Sequence, residues 1–449
     1  MRVLIIGAGN AGRRLASRLC EEHHDVVLVD HDARRLDELG TELDIMTVCG
    51  NGASPSVLAD AQVAKASLFA AVTDNDEVNI LSALFARAAG VEHTAVRVSN
   101  AEYLTPQCIT DLRSFGIELV VDEHEECAQE MQRILSMPGS REVVEMVHGR
   151  IFCVGMKLPA GSMLLDKPLQ SFAGEALLLK VRLIAVMRQG ELIMPHGELE
   201  LAEKDVVYCV GTPPDVRAFL DTVYPSQPDI QKVVIAGGGD TGLRLAQRLE
   251  KLDKHVVLIE RDEARARFCS ASLNKAMVMG GSALEKGILD EIGISDHTAI
   301  VAATGDDENN IIACLLAKKT GAVFAVAIVS NPAYVPIIND DNLLDRAVSP
   351  YLTTINAILR FVRGTNIRAA NLLHDVPGEL LEVEIVEGGR WNGVAIRNLR
   401  LPKRAVVAAL QRGPDVLIVT GDTVMQAGDR LILFAPAGAS VKLEAVFKK

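Results

Sequence analysis

Two hexapeptides carry the most legible chemistry in this chain. Gly7-Ala8-Gly9-Asn10-Ala11-Gly12 follows the apolar run "VLII", and Gly237-Gly238-Gly239-Asp240-Thr241-Gly242 follows "VVIA". Each is followed by residues with helical spacing. In G-x-G-x-x-G the first glycine permits a tight turn. The second lets a pyrophosphate approach the backbone, and the third lets helix and strand pack closely. Free N–H groups and a partial positive charge at the helix start then favour phosphate. Asp30 ends the next apolar run, 18 residues after Gly12, and Glu260 takes the same place in the second copy. A carboxylate there accepts hydrogen bonds from both ribose hydroxyls and repels a 2′-phosphate. NAD or an adenosine nucleotide is therefore expected rather than NADP.

The copies differ in charge. Asp240 stands where Asn10 stands, at the mouth of the helix, and a carboxylate there caps the helix but repels phosphate. Arg97, on the fifth apolar run and able to reach phosphate or ribose, is replaced by Ile328, and Asp74 by Gly305. The first site is expected to bind a charged nucleotide well. The second is expected to bind weakly, to take another ligand or to stay empty.

Other clusters carry less. "DEHEEC" (122–127) has metal-ligating side chains but no second ligand pair at metal spacing, and reads as a solvated acidic helix start. "TGDDENN" (304–310) reads as a loop and helix start capped by Asp306 or Asp307, at the strand ends where ligands lie. His196, in "MPHGE", reads as a hairpin-turn residue. No Ser/His/Asp set, metal constellation or lysine-based site stands out, and no acid or base is poised for hydride transfer. No catalytic residue and no metal are expected, so the nucleotide is read rather than used. An NAD-dependent oxidoreductase and a cytosolic nucleotide sensor without a membrane partner are the rival readings.

These residues must be held by repeated scaffolding. "HDVVLVD" (24–30) matches "KHVVLIE" (254–260), and "CGNGA" (49–53) matches "MGGSA" (279–283). After a one-residue insertion, "AAVTDNDEVNILSALFARAAG" (70–90) matches "VAATGDDENNIIACLLAKKTG" (301–321), and "VRVSNAEYL" (96–104) matches "AIVSNPAYV" (327–335). Duplication follows. In the first copy, apolar runs at 3–6, 26–29, 45–48, 68–72, 94–98 and 117–121 read as buried strands, with helical patterns at 11–21, 33–39 and 77–89. The alternation predicts an α/β fold with two Rossmann-like, doubly wound parallel-sheet domains. Helices at 122–135 and 349–362 follow, and through them the halves are expected to pack as a pseudo-symmetric pair. Alternating segments from Val143 to about Tyr224, and from Leu373 onward, predict small α+β hairpin domains. The expected domains are 1–137, 138–224, 225–368 and 369–449, with a proline-marked linker at 224–231.

The bulk properties agree. The chain has 449 residues and a net charge of −13, which disfavours nucleic acid and anionic lipid as direct partners. No apolar run reaches membrane length, the first one ends at the glycines too early to read as a secretory signal, and the eight cysteines are dispersed without a CxxC pair. A soluble cytosolic protein is expected.

Taken together, the repeat, the two fingerprints and the hairpin lobes resemble the TrkA family of RCK/KTN regulators. The order is RCK-N, RCK-C, RCK-N, RCK-C over essentially the whole length. "RVLIIGAGNAGRRLA", "AVTDNDEVNILSALFARAAG" and "VRVSN" carry it in the first copy, and "VVIAGGGDTGLRLAQRLE" and "AATGDDENNIIACLLAKKTGA" in the second. "MQAGDRLILFA" (425–435) matches the end of an RCK-C lobe, where the first lobe departs with Glu203-Lys204-Asp205. The resemblance implies ligand contacts at Gly7 to Gly12, Asp30, Thr73, Asp74 and Arg97, and at Gly237 to Gly242, Glu260 and Thr304. It implies a membrane-embedded potassium-translocating partner of the TrkH type and a homo-oligomeric ring built from a dimer or tetramer. It also implies control by NAD/NADH, with ATP/ADP as the alternative, from the cytoplasmic face of the membrane. Nucleotide titration of Gly9→Ala and Gly239→Ala variants is expected to show unequal losses, with the larger at Gly9; equal losses would remove the asymmetry.

Overall fold

The structure, a computed structural model, describes the chain except residues 105–110, 173, 175–178, 225–229, 253, 332, 341–342, 363–368, 374–375, 400, 403 and 437–449. Most of the expected linker at 224–231 lies outside the described residues, as does Cys108.

The first copy forms β1 (Arg2–Ile6), α1 (Asn10–Glu21), β2 (Asp25–Asp30), α2 (Ala33–Glu42), β3 (Met46–Cys49), α3 (Pro55–Asp60), β4 (Leu68–Ala71), α4 (Asp76–Ala88), β5 (His93–Val98), β6 (Leu119–Asp122) and α5 (Glu123–Ser136). Its sheet runs β3-β2-β1-β4-β5-β6 with every pair parallel. Val3, Leu4, Ile5 and Ile6 are all buried, as a strand covered on both faces requires. The order reverses between β1 and β4, and a ligand crevice opens at the carboxyl ends of these strands.

A small lobe follows, with β7 (Ser140–Met146), β8 (Ile151–Lys157), β9 (Val181–Arg188), β10 (Glu191–Ile193), β11 (Val206–Gly211) and α6 (Pro213–Val223). The second copy then repeats the first with β12 (Lys232–Ala236), α7 (Asp240–Glu250), β13 (His255–Glu260), α8 (Glu263–Ser272), β14 (Met277–Gly280), α9 (Lys286–Ile292), β15 (Thr298–Ala302), α10 (Asp307–Thr320), β16 (Phe324–Ile328), α11 (Tyr334–Asp340), β17 (Arg346–Val348) and α12 (Pro350–Val362). Its sheet, β14-β13-β12-β15-β16-β17, has the same order. The last lobe holds β18 (Ala369–Leu372), β19 (Gly378–Glu384), β20 (Val406–Arg412), β21 (Asp415–Ile418) and β22 (Arg430–Pro436).

Like associates with like. One compact unit comprises Met1–Gln132 with Asp229–Leu359, and the other comprises Arg133–Pro228 with Arg360–Lys449. The second unit joins its two antiparallel sheets through a shared core that includes Ile184, Tyr208, Ile432 and Phe434. Each lobe also carries the same buried fork. Arg188 donates twice to Asp205, and Arg412 twice to Asp429, in pairs of 2.8 and 2.7 Å. Asp205 and Asp429 also accept the amides of Ala202 and Gln426. The departure at Glu203-Lys204-Asp205 therefore leaves this turn intact, and Lys204 adopts the positive φ of 70° that Gly428 adopts at 86°.

Glu250 closes α7 differently from its counterpart Cys20. Its carboxylate accepts the amides of Asn274, Lys275 and Ala276 within 3.0 Å. Burial alone would raise its pKa, but the three amides outweigh burial and hold it below the ordinary glutamate value. A depressed folded pKa contributes stability above the unfolded value, which is lost as pH falls through the folded value. Glu250→Gln is expected to lower stability near neutrality by about 1–3 kcal/mol and to flatten the acid limb, read by urea unfolding at several pH values.

Candidate functional site

The first glycine loop is built by close approach. Gly7 has φ +103°, and a Cβ there would lie 3.0 to 3.2 Å from Thr73. A Cβ on Gly12 would lie 1.7 Å from the Gly7 carbonyl oxygen. Gly9 is different: a Cβ there meets nothing within 4 Å, and its φ of −70° suits any residue. Nothing inside the protein requires glycine at position 9, but a ligand approaching the backbone would. Asp30 is buried and ties the loop down, accepting the Ala8 amide at one oxygen and the Asp32 amide, at 2.8 Å, at the other. Each oxygen retains lone-pair capacity toward a ribose.

A cavity of about 840 Å³ opens over this loop. Gly7, Gly9, Asn10, Ala11, Asp30, Thr73, Asp74 and Arg97 line it, so the structure brings together eight of the ten residues expected there. Ala8 and Gly12 lie behind, one bonded to Asp30 and the other packed on Gly7. Arg97 is held on one side by Asp74 at 2.8 Å and on the other by Glu123, and it donates to the Thr73 carbonyl at 3.0 Å. Burial would lower its pKa, but the two carboxylates raise it, so it stays a full cation.

The same pins recur in both copies. The buried Asn79 side chain accepts the Thr73 amide and hydroxyl and donates to the carbonyls of Thr73 and Arg97. Asn310 does the same for Thr304 and the Ile328 carbonyl. Asp306 caps α10 by accepting the Asn309 amide, while Asp307 accepts those of Ser330 and Asn331. These asparagines escaped the sequence reading. Their recurrence at one spacing after the threonine was the available signal.

The second site is smaller. Gly237, Gly239, Glu260 and Thr304 line a cavity of about 480 Å³, together with Gly305, Asp306 and Asn309. Gly238 donates its amide to Glu260 at 2.7 Å, and Gly242 packs on the Gly237 carbonyl. Asp240 and Thr241 do not reach this cavity. Asp240 is paired with Arg265 at 2.7 Å, and the Thr241 hydroxyl is 2.8 Å from Nδ1 of His124. The expectation that the Asp240 side chain caps the helix is thus corrected: Gly239 is the cap residue, no side chain caps the helix start, and the Asp240 carboxylate is paired with Arg265 instead.

The segment 122–127 is also corrected. It is no solvated helix start but a half-buried contact between the copies. Asp122 pairs with Arg244 and Glu125 with Arg248, both arginines lying on α7, and Glu123 pairs with Arg97. Cys127 is buried 3.5 Å from the Thr353 hydroxyl on α12, and burial pushes its thiol up to about 12. Dipole reasoning saw only one helix, whereas Arg244, Arg248 and Thr353 lie more than a hundred residues away in the other copy. Among the described residues no group of three or more side chains is placed to hold a metal ion. Ser330, Pro350 and Tyr351 of the second copy line the first cavity, which no single-copy reading could foresee. His196 is exposed immediately before the turn at Gly197, and its carbonyl accepts the Leu199 amide.

The TrkA-N domain family matches residues 3–123 and 233–350, and the TrkA-C domain family matches 153–223 and 380–448. The Trk system potassium uptake protein TrkA of Halomonas elongata is 33% identical over 439 residues, covering 97% of this chain and 95% of that one. The TrkA homolog of Archaeoglobus fulgidus is 34% identical over 450 residues and covers 100% of both chains. The chain belongs to the TrkA family. Its relatives in that family are named as parts of a potassium uptake system and not as enzymes, in keeping with the non-catalytic reading. Among solved structures, the GsuK RCK domain superposes with a TM-score of 0.58 at 21% identity, covering 100% of this chain and 95% of that one. The GsuK channel bound to NAD superposes with a TM-score of 0.59 at 20% identity, covering 100% and 79%. At these identities the likeness shows the fold, tandem RCK domains. No helix among the described residues is long and apolar enough to cross a membrane.

Asn79→Ala is expected to destabilise the first copy by about 1–3 kcal/mol, since it strips partners from buried backbone groups. It should also speed hydrogen exchange of the Thr73 amide; Asn310→Ala should do the same at Thr304. Unchanged exchange at both threonines would refute the pinning role.

Proposed function

We propose that this chain is the cytoplasmic nucleotide-binding regulatory subunit of a potassium uptake system. It gates a membrane potassium-translocating subunit of the TrkH type in response to NAD/NADH or ATP/ADP. Gly9 carries the nucleotide half of this reading, because glycine stands where only an incoming ligand would need it, between a helix start and Asp30. Family membership supports the transport half, and the NAD carried by the GsuK channel supports the choice of ligand. The proposed contacts are Gly7, Gly9, Asn10, Ala11, Asp30, Thr73, Asp74 and Arg97 in the first site, with Ala8 and Gly12 shaping its loop, and Gly237, Gly239, Glu260 and Thr304 in the second, with Gly238 and Gly242 shaping its loop. The proposed domains are 1–137, 138–224, 225–368 and 369–449, assembled as a homo-oligomeric ring of two or four chains on the inner face of the membrane.

The arrangement suggests how occupancy changes shape. Arg97 is shared between Asp74, at the cavity rim, and Glu123, at the start of α5. An anionic ligand beside Arg97 competes with Glu123 for it. Flanking residues Asp122, His124 and Glu125 hold Arg244, Thr241 and Arg248 on α7, the helix that begins at the second loop. A ligand shifts such a pair only through unequal affinity for its two arrangements. NAD and NADH differ in charge at the nicotinamide, which is the kind of difference that would give the two ligands different preferences between the arrangements.

The test has two readouts on the full chain. Calorimetry with NAD, NADH, ATP and ADP is expected to show saturable binding. Potassium flux through vesicles holding the TrkH-type partner is expected to depend on the added chain and on the nucleotide. Absence of binding, or flux indifferent to the chain, would overturn the proposal.

A further inference from the structure

Arg35 and Arg265 occupy equivalent places, five residues beyond Asp30 and Glu260 and in the first turns of α2 and α8. Their partners differ. In the second copy Arg265 reaches back over the glycine loop. Nε donates to the Gly238 carbonyl at 2.6 Å and Nη2 to Asp240 at 2.7 Å, with the guanidinium carbon 5.0 Å from the Phe268 ring centre. Its charge thus lies across the helix mouth, and the anion it grips is a side chain of the protein.

In the first copy the residue at that mouth is the neutral Asn10. Arg35 lines the cavity with Gly9 and Asn10, and its protein ion partner is Asp32 at 3.5 Å. That pair is largely exposed and contributes little. The two loops share their geometry: Gly7 and Gly237 have φ +103° and +110°, and a carboxylate grips the next amide in each. A side chain of the same length, leaving the same helix position, reaches the same place. The cavities agree with this. Asn10 and Arg35 line the first, while Asp240 and Arg265 are withdrawn from the second, which is smaller at about 480 against 840 Å³.

We infer that Arg35 is a phosphate-binding residue of the first site, and that the Asp240 carboxylate stands in the second where the ligand's phosphate stands in the first. The second site carries its own anion. Its helix start and its arginine are both satisfied, so it takes a nucleoside end that reaches Glu260 and rejects a pyrophosphate. Arginine suits this role because its planar fork holds phosphate oxygens in pairs. The inference rests on the nucleotide reading of the two cavities.

Calorimetry of the full chain with ADP and with adenosine tests it. Arg35 and Asp240 are substantially exposed, so their variants retain the fold. Arg35→Ala is expected to weaken ADP about tenfold or more, with increased salt masking the difference, and to leave adenosine affinity unchanged. Asp240→Asn gives the second copy the residue of the first and is expected to add one ADP per chain. Arg265→Ala in that background is expected to remove it. ADP affinity indifferent to Arg35, or no added ADP in Asp240→Asn, overturns this inference and leaves the nucleotide reading standing. A wild-type chain that binds neither probe overturns both.

Discussion

A methyl group on Gly12 would sit 1.7 Å from the Gly7 carbonyl oxygen, and one on Gly242 would sit 2.0 Å from that of Gly237. This contact between a helix start and the turn before it sets the rest of the first unit. It brings the helix down onto β1 or β12, aims the leading amides outward, and places the middle glycine at the cavity wall. A carboxylate at the end of the neighbouring strand then fixes the turn by accepting an amide from it. These contacts hold the loop in place without a ligand, which would reduce the ordering required on binding.

Duplication kept this scaffold and changed its charges. The asparagine pins, the caps of α4 and α10 and the carboxylate–amide ties recur almost atom for atom. The asparagine pins satisfy part-buried backbone groups, and losing either would strand a polar atom. Residues around the two glycine loops diverged instead. Asn10 stands against Asp240, Arg97 against the buried Ile328 and Asp74 against Gly305, and the ion pairs they make differ with them. The same backbone thus offers one cavity rich in separable charges and another whose charges are already matched.

The copies also meet through charge. Three acidic residues at 122–125 engage Arg97, Arg244 and Arg248, so the junction between β6 and α5 touches the first cavity and the fingerprint helix of the second copy. Half-buried ion pairs of this kind are worth little as net stability but are strict about geometry. That makes them suited to distinguishing two arrangements of the same parts.

Sequence alone determined the strand–turn–helix units, the strand positions of the first copy to within two residues, and eight of the residues on the first cavity's wall. Apolar runs bounded by glycine admit few structures, and the G-x-G-x-x-G spacing encodes a local steric requirement. It also revealed the duplication and the charge difference at position 240. Only the tertiary structure decided what those charges face. Arg265 reaching Asp240, Glu123 holding Arg97, and Tyr351 lining the first cavity each join residues whose spacing in the chain carries no signal. Backbone patterns are set by neighbours along the chain, whereas ion pairs within and between the repeats are set by packing that no local spacing encodes.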